Sequence, residues 1–351
     1  MGAARWRSLE SRLRDALARA RDRAALSELL YPEIGRYVRF DFGCFATTDP
    51  ASGVITWASK TRSLGVGDEE FAATEYGPAD INKFEEIATR RPSVGALSLD
   101  TDGHPERCRR HRDFMSPRFG FTDELRAAFV SRGTAWGVLA LYRAGDAPSF
   151  SIEDVQDIAG ICDTVAAAIQ RCLFQVPAPV RNVAGGAGPA VLVVDATDRV
   201  THSTPGARAA IEELGGWEHG QLPSCVLAVI ASVRAGSEHV SSRTPTTSGS
   251  WITLLASMLD DRLDGRSEGR DVVVSIEPTP RAALSHLALA AFGLTRREVE
   301  VALLVLQGAN TENIARTLHL SPHTVQDHLE AIFAKVGVRS RRELIAKLVL
   351  T

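Results

Sequence analysis

The residues best suited to chemistry lie between 321 and 336. Ser321 and Pro322 open a helix on which Val325, Leu329, Ile332 and Val336 step by four, three and four, a spacing that gathers them into one apolar stripe. The opposite face then carries His323, Gln326, Asp327 and Glu330. These are hydrogen-bond donors and acceptors at neighbouring helical positions. A helix fits the major groove of DNA, where every base pair shows a distinct pattern of donors and acceptors. A short helix and a tight link precede this one, and the polar side chains sit near its N-terminus. That combination predicts a helix-turn-helix.

Other reactive residue types form weaker patterns. His104, Cys108 and His111 lie close together, but a metal needs a fourth ligand and a closed geometry. Their polar, Arg-rich surroundings read as a solvated surface. Cys44 follows Gly43 in a strand-like run; no cation beside it in sequence would lower its pKa, so it reads as a small buried residue. The run Val191–Asp195 resembles the first strand of a phosphoacceptor receiver, yet only Asp195 follows it, without the acidic pair and later Lys such a site uses. No phosphate-binding glycine loop and no nucleophile–base arrangement is present.

The elements that must position residues 321–336 are legible from their caps. Thr295 and Glu298 form a capping box, with Leu294 and Val299 as a hydrophobic staple. Val299, Ala302, Leu303 and Leu306 follow at helical spacing, and Gly308 ends the helix. A second helix starts near Asn310 and buries Ile314, Ala315 and Leu318; His319 and Leu320 make the link. Ser321 caps the third helix, with Pro322 at its first position. A fourth helix opens with another capping box, Ser340 and Glu343, and buries Leu344, Ile345 and Leu348.

Residues 294–351 resemble the LuxR/NarL-type DNA-binding domain. The resemblance is carried by the LTRRE opening, Gly308, Ile314–Ala315, Leu318, Ser321, Thr324–Val325, His328–Leu329, Lys335–Val336–Gly337–Val338 and Ser340–Arg341. It implies that the third helix enters the major groove and that the fourth supports dimerisation. By position, Gln326, Asp327 and Glu330 fall where relatives read bases, and Thr324 and Lys335 where they touch backbone. Thr311 and His323 complete the expected DNA-facing set. The reading face departs from the family in being acidic at Asp327 and Glu330. Carboxylates repel phosphate but accept from the cytosine amino group. Either the operator has cytosines there, or binding is weak until dimerisation or a ligand assists.

Composition sets the frame. The chain has 351 residues and a net charge of −3, so two or three domains are expected and bulk electrostatics do not favour nucleic acid. From Leu294 onward the balance reverses mildly: Arg296, Arg297, Arg316, Lys335, Arg339, Arg341, Arg342 and Lys347 face Glu298, Glu300, Glu312, Asp327, Glu330 and Glu343, which suits phosphate contact. Five scattered cysteines without a CxxC pair indicate reduced thiols. No apolar run is long enough for a membrane span, and the Arg-rich N-terminus reads as a surface helix. Cytoplasm is the expected location.

Upstream, residues 4–30 predict one helix with a stripe at Trp6, Leu9, Leu13, Ala16 and Ala20. It packs either in a dimer or on its own domain's sheet. Strands follow at 37–46, 54–58, 124–130 and 135–142, with a helix at 84–89 and a polar stretch at 101–112. A last helix from Ser151 carries Val155, Ile158, Cys162, Val165, Ile169 and Cys172 in a heptad-like seam, for a partner helix or the sheet behind it. The run WGVLALYRAGDAPSFSIEDVQDIAGICDTVAAAI carries most of a resemblance to GAF sensory domains. That resemblance implies a small-molecule pocket, expected near Phe42, Cys44, Trp57 and Trp136, and dimerisation through terminal helices. Residues 175–189 read as a Pro/Gly-rich linker. Strands at 190–195, 199–202, 251–257 and 272–277, helices at 205–214 and 223–234, and a Ser/Thr-rich loop at 241–250 resemble a PAS-like domain. Residues 279–293 are the expected coupling helix.

The sequence thus predicts a multidomain α+β chain: a GAF-like α/β sensor over 1–174, a PAS-like α+β domain over 190–278, and an all-α four-helix domain over 294–351. The expected function is a homodimeric, ligand-controlled transcriptional regulator on palindromic double-stranded operators, with RNA polymerase as a further partner and no cofactor specified. Two rivals are a thiol-based enzyme on the GAF-like domain, and a constitutive regulator whose sensor domains only dimerise.

Overall fold

The computed structural model describes residues 2–65, 68–174, 188–217, 220–259 and 271–349. It divides into two compact units, Met1–Pro278 and Thr279–Thr351. Most of the expected linker, 175–187, lies outside the described residues.

The first unit starts with α1 (Gly2–Leu17) and α2 (Arg23–Gly35). The single helix expected over 4–30 is therefore two. Asp22 takes an extended conformation and caps α2 by accepting from the Ala25 amide at 2.8 Å, so the chain restarts there. Leu9, Leu13, Ala16 and Ala20 are buried within this chain, α1 packing on the terminal helices named next. Then come β1 (Phe42–Thr48), β2 (Ile55–Lys60), α3 (Asp68–Tyr76), α4 (Phe84–Thr89), β3 (Val94–Ala96) and α5 (Leu97–Asp100). A 3-10 turn (Pro105–Arg107), a π turn (His111–Met115) and α6 (Ser116–Phe119) lead into β4 (Phe121–Ser131), β5 (Thr134–Ala144), α7 (Ile152–Ala159) and α8 (Cys162–Phe174).

The strands form one antiparallel sheet in the order β2-β1-β5-β4-β3. Its period of two sends Phe45, Phe129 and Leu139 to one face and Phe42, Ala46, Val138 and Tyr142 to the other. The helix from Ser151 is broken near Gly160, and its seam turns inward: Ile158, Cys162, Val165 and Ile169 are buried, with α8 lying on β4 and β5. Gly137 permits the approach, because a Cβ there would meet Ala46 O at 2.7 Å and Ile169 Cδ1 at 2.8 Å.

A second antiparallel sheet follows, built from β6 (Ala190–Val194), β7 (Val200–Ser203), β8 (His239–Pro245), β9 (Trp251–Met258) and β10 (Val272–Pro278), with α9 (Pro205–Glu213) and α10 (Ser224–Arg234) inserted after β7. Its order, β7-β6-β10-β9-β8, repeats that of the first sheet: second, first, fifth, fourth, third. The expected loop at 241–250 is for half its length the strand β8. Its Ser242 and Thr244 are fully buried, and the Thr244 hydroxyl donates to Thr56 O at 3.0 Å.

Helix α10 explains why the two sheets share one core. Cys225, Val226, Leu227, Ala228, Val229, Ile230 and Val233 are all buried, so it is apolar on every side and must be covered on every side. Its own sheet covers one side; α3 and β2 of the first sheet cover the other. Asp49 fastens the junction. Fully buried, it accepts from the Arg243 amide at 2.9 Å and from Arg243 Nε at 3.1 Å. Phe174 stacks on Trp251 at 5.0 Å.

The second unit is α11 (Arg281–Ala291), α12 (Arg296–Leu306), α13 (Thr311–Leu318), α14 (Pro322–Val336) and α15 (Arg341–Val349). The expected coupling helix, α11, belongs to its core: Leu289 is fully buried and the Ser285 hydroxyl donates to Leu348 O at 3.1 Å.

Removing one partner of a buried ion pair strands the other charge. Asp49→Ala should cost about 3 kcal/mol, read as a lower midpoint in urea denaturation of the full chain. An unchanged midpoint would show that Arg243 does not depend on this carboxylate.

Candidate nucleic-acid interface and internal cavity

The helix pair α13–α14 is set by its caps. Asn310 caps α13, accepting from the Asn313 amide at 2.8 Å. His319 ends it in the left-handed region, φ 53° and ψ 48°, and the Leu320 amide returns to Ala315 O at 2.8 Å. This one strained residue makes the link tight. Ser321 caps α14, accepting from the Thr324 amide at 3.0 Å, and Pro322 takes the first turn. Gly337, φ 71°, ends it.

Val325, Leu329, Ile332 and Val336 are the buried residues of α14. His323, Gln326, Asp327 and Glu330 stand on the exposed side. The His323 and Asp327 side chains are 89% and 62% exposed and lie 3.9 Å apart; Gln326 Nε2 donates to Glu330 Oε1 at 3.4 Å. The four make a continuous polar strip with two carboxylates in it.

Thr324 and Lys335, expected at the DNA backbone, and Thr311 of the same DNA-facing set are already engaged within the chain. Thr324, half-buried, shares a 2.8 Å hydrogen bond with the Ser321 hydroxyl. Thr311 accepts from Arg341 Nη2 at 2.8 Å, and Arg341 Nη1 donates to Ala309 O at 3.0 Å. Lys335 Nζ sits 2.6 and 2.7 Å from the two oxygens of Glu298. Glu298 is also the reciprocal half of the capping box on Thr295. Burial disfavours its charge, but Lys335 and the Thr295 amide outweigh burial and hold the carboxyl below its ordinary value. The capping box is visible in the sequence; the ion pair spans 37 residues and leaves no local signal. The second expected box differs in detail: Ser340 accepts from the Glu343 amide, but the Glu343 side chain accepts from Arg339, not Ser340.

Upstream, a cavity of about 60 Å³ opens between the first sheet and its covering helices. Phe42 and Cys44 line it, as do Phe71, Phe84, Phe114 and Tyr142. Trp57 and Trp136 do not. Trp57 pairs with Thr47 in the register of β1 and β2, one step out of phase with Ala46 and Ala58 on the cavity side, and packs on Phe45 with the Arg23 guanidinium over its ring. Trp136 is the extra residue of a bulge, Phe129 facing Gly137 and Val130 facing Ala135, and meets Phe174 edge-on at 6.2 Å. Burial pushes the Cys44 thiol up to about 11, which suppresses the thiolate a redox or nucleophilic role needs.

A buried charged cluster adjoins this cavity, and nothing local in the sequence reveals it. Arg126 donates from Nε to Glu124 at 2.9 Å and from Nη1 to Glu75 at 2.7 Å, its guanidinium 4.1 Å from the Phe84 ring centroid. Arg110 pairs with the other Glu124 oxygen. Burial opposes the charge on Glu124, yet the two guanidinium groups hold it at about 2. The segment around 104–111 is thus not the solvated surface expected: Cys108, Arg110 and His111 are buried, and the Cys108 thiol donates to Asp80 at 3.3 Å. Among the described residues no group of His, Cys, Asp and Glu is arranged to hold a metal. Asp195 organises a turn, accepting from the Thr197 and Arg199 amides.

Comparison with known proteins bears on the C-terminal unit. Residues 293–348 match the family described as bacterial regulatory proteins, luxR family. The Bacillus subtilis spore germination protein GerE is 38% identical over 55 residues, 16% of this chain and 74% of GerE. An HTH-type transcriptional regulator of Mycobacterium bovis is 44% identical over 52 residues, 15% of this chain; the chain spans only 6% of that relative's length. Escherichia coli SdiA covers 97% of this chain and 95% of its own, at 9% identity and a TM-score of 0.35, too remote to bear on the upstream sheets.

Glu298 sets a pH dependence. Its folded pKa lies below the unfolded value of about 4.5, so its contribution to stability is complete above that pH and is lost as pH falls through the folded value. Glu298→Gln in the full chain should therefore flatten the acid limb of thermal stability, measured by helical circular dichroism. An acid limb identical to wild type would mean that Lys335 does not hold this carboxylate.

Proposed function

Because the chain belongs, through its C-terminal unit, to the luxR family of bacterial regulatory proteins, we propose that the whole protein is a sequence-specific transcriptional regulator that reads double-stranded DNA with α14. The observation that carries this reading is the division of α14 into a wholly buried stripe and an exposed strip of His323, Gln326, Asp327 and Glu330. A helix held by one face and bare on the other, entered through a tight link, is the arrangement that docks in a major groove.

In finer detail, the first sheet, 1–174, is a GAF-like sensor that takes a small ligand in the cavity lined by Phe42 and Cys44, and residues 190–278 are a PAS-like partner domain. The common strand order of the two sheets supports treating them as related modules. The regulator acts as a homodimer on palindromic operators, since two-fold protein symmetry is mirrored in the site, and contacts RNA polymerase to alter transcription. It works in the cytoplasm; no described helix is long and apolar enough to cross a membrane. Thr324 and Lys335 contact backbone and Thr311 belongs to the same DNA-facing set; their present partners Ser321, Glu298 and Arg341 orient them until phosphate competes. A ligand controls the regulator only through different affinities for two arrangements of the dimer.

Binding of promoter fragments should weaken steeply as salt rises. Gln326→Ala or Asp327→Asn should change which base is preferred, by about 1–3 kcal/mol at one position, whereas Lys335→Ala should weaken all sequences alike and lower the salt slope by about 1. Equal losses on every sequence for all three variants would remove the assignment of α14 as the reading helix.

A further inference from the structure

The walls of the cavity beneath the first sheet restrict what can occupy it. They are mostly apolar. Phe42, Phe71, Phe84, Phe114 and Phe119 contribute rings, and Val138 closes the sheet side. About 60 Å³ is roughly four to six times the 10–15 Å³ that one water requires on this measure, which suits a single small ring.

The charged groups in and behind its wall are paired with one another. Lys60 and Asp68, both in the wall, pair with each other. Behind Phe84 and Tyr142, Arg126 and Arg110 are set against Glu124 and Glu75, and Asp80 stands 3.8 Å from Arg110. None of these cations is left over for an anionic ligand, which would be stripped of water without a counterion at high cost. A polar handle is available. Tyr142 is a wall residue; its buried hydroxyl interacts with the Glu124 carboxylate, to which a phenol can only donate, and its oxygen is left to accept from a ligand hydroxyl.

The remaining wall comes from the other sheet. Ser224 and Ala228 of α10 complete the cavity. An occupant therefore touches the one helix on which both sheets are packed.

Granting that the first sheet is a ligand sensor, on which this assignment rests, we propose that the cavity binds a small, uncharged, planar and mostly apolar molecule with a single hydrogen-bonding group, of the kind represented by a simple phenol, and that it does so against α10. Tyr142 selects the polar group; the aromatic wall supplies the affinity; the closed charge network rejects anions. Filling the cavity fixes α10 against α3 and β2, so the second sheet feels what the first has bound.

The test uses calorimetric titration of the whole 351-residue chain with three single-ring probes: phenol, toluene and the slightly larger benzoate. Phenol and toluene should bind saturably at one site per chain, phenol more tightly, and benzoate at least about tenfold more weakly than phenol, a difference of about 1.4 kcal/mol. Tyr142→Phe should bring phenol down to the level of toluene and leave toluene unchanged. Ala228→Phe should abolish both; Ala228→Val, a smaller change, should weaken both and keeps the test decisive if the larger side chain prevents folding. Benzoate binding as tightly as phenol, or neither neutral probe binding, overturns the proposal, as does unchanged binding in a folded Ala228 variant. Promoter binding measured on the same preparation separates the two readings. Intact DNA binding without probe binding defeats the cavity assignment alone; bound probe without DNA binding defeats the regulator assignment alone.

Discussion

A helix with no polar side cannot rest against one surface. Helix α10 has eight buried positions among eleven residues, and this constraint shapes everything before residue 279. One sheet covers half of its circumference. The rest would face water at about 25 cal/mol for every Å² of apolar area exposed, so α3 and β2 of the other sheet must close over it. The consequence is a single apolar core running through two sheets of identical strand order. Two modules joined only by a linker would be free to move independently. Two modules that share a helix respond together, and a signal at one need not travel along the connecting chain.

The polar groups at this junction obey the complementary rule. Asp49 is fully buried and would be untenable alone; the amide and guanidinium of Arg243 make it a clamp. The same logic governs Glu124, Glu75, Arg110 and Arg126, which lie almost entirely out of water. Their charges cancel locally, so the cluster adds fixed geometry to the first sheet without an exposed field. It also holds Phe84 and Tyr142, two of the cavity's own walls. Rigid walls discriminate shape, and a neutral surround discriminates charge; the cluster gives the cavity both properties.

How much of the molecule is legible in the sequence depends on the range of the interactions involved. The C-terminal helices are specified by neighbours three or four residues apart: Thr295 with Glu298, Asn310 with Asn313, Ser321 with Thr324. Caps and periodicity suffice there, and the stripe of α14 can be read residue by residue. The upstream site depends on register. Trp57 falls on the far face because β2 pairs with β1 through Thr47, and Trp136 leaves the regular alternation at a bulge; neither is decided by residue type. The buried arginines are hidden for the same reason. Arg110 lies in a run of charged residues that looks solvated, and only folding brings Glu124 to it from 14 residues away and Glu75 to Arg126 from 51. The strand β8 is disguised by Ser241, Ser242 and Thr244; the last two are buried, where β-branched or small side chains fit a covered sheet edge.

Electrostatics in the C-terminal unit bear on how such a regulator must work. Its mild excess of cations leaves fewer of them free for phosphate than a count suggests, because Lys335 is paired with Glu298 and Arg297 with Glu300. Asp327 and Glu330 add negative charge to the strip that would face the groove. Nonspecific attraction to phosphate is therefore modest, since that attraction grows with the number of phosphates neutralised. A domain that grips the backbone weakly discriminates well but holds poorly. Pairing two such domains converts the second binding event into an intramolecular one and multiplies affinity without any new contact, provided the spacing of the two helices matches the site. In the proposed dimer, weak single-domain electrostatics would place control where the spacing of the two helices is set.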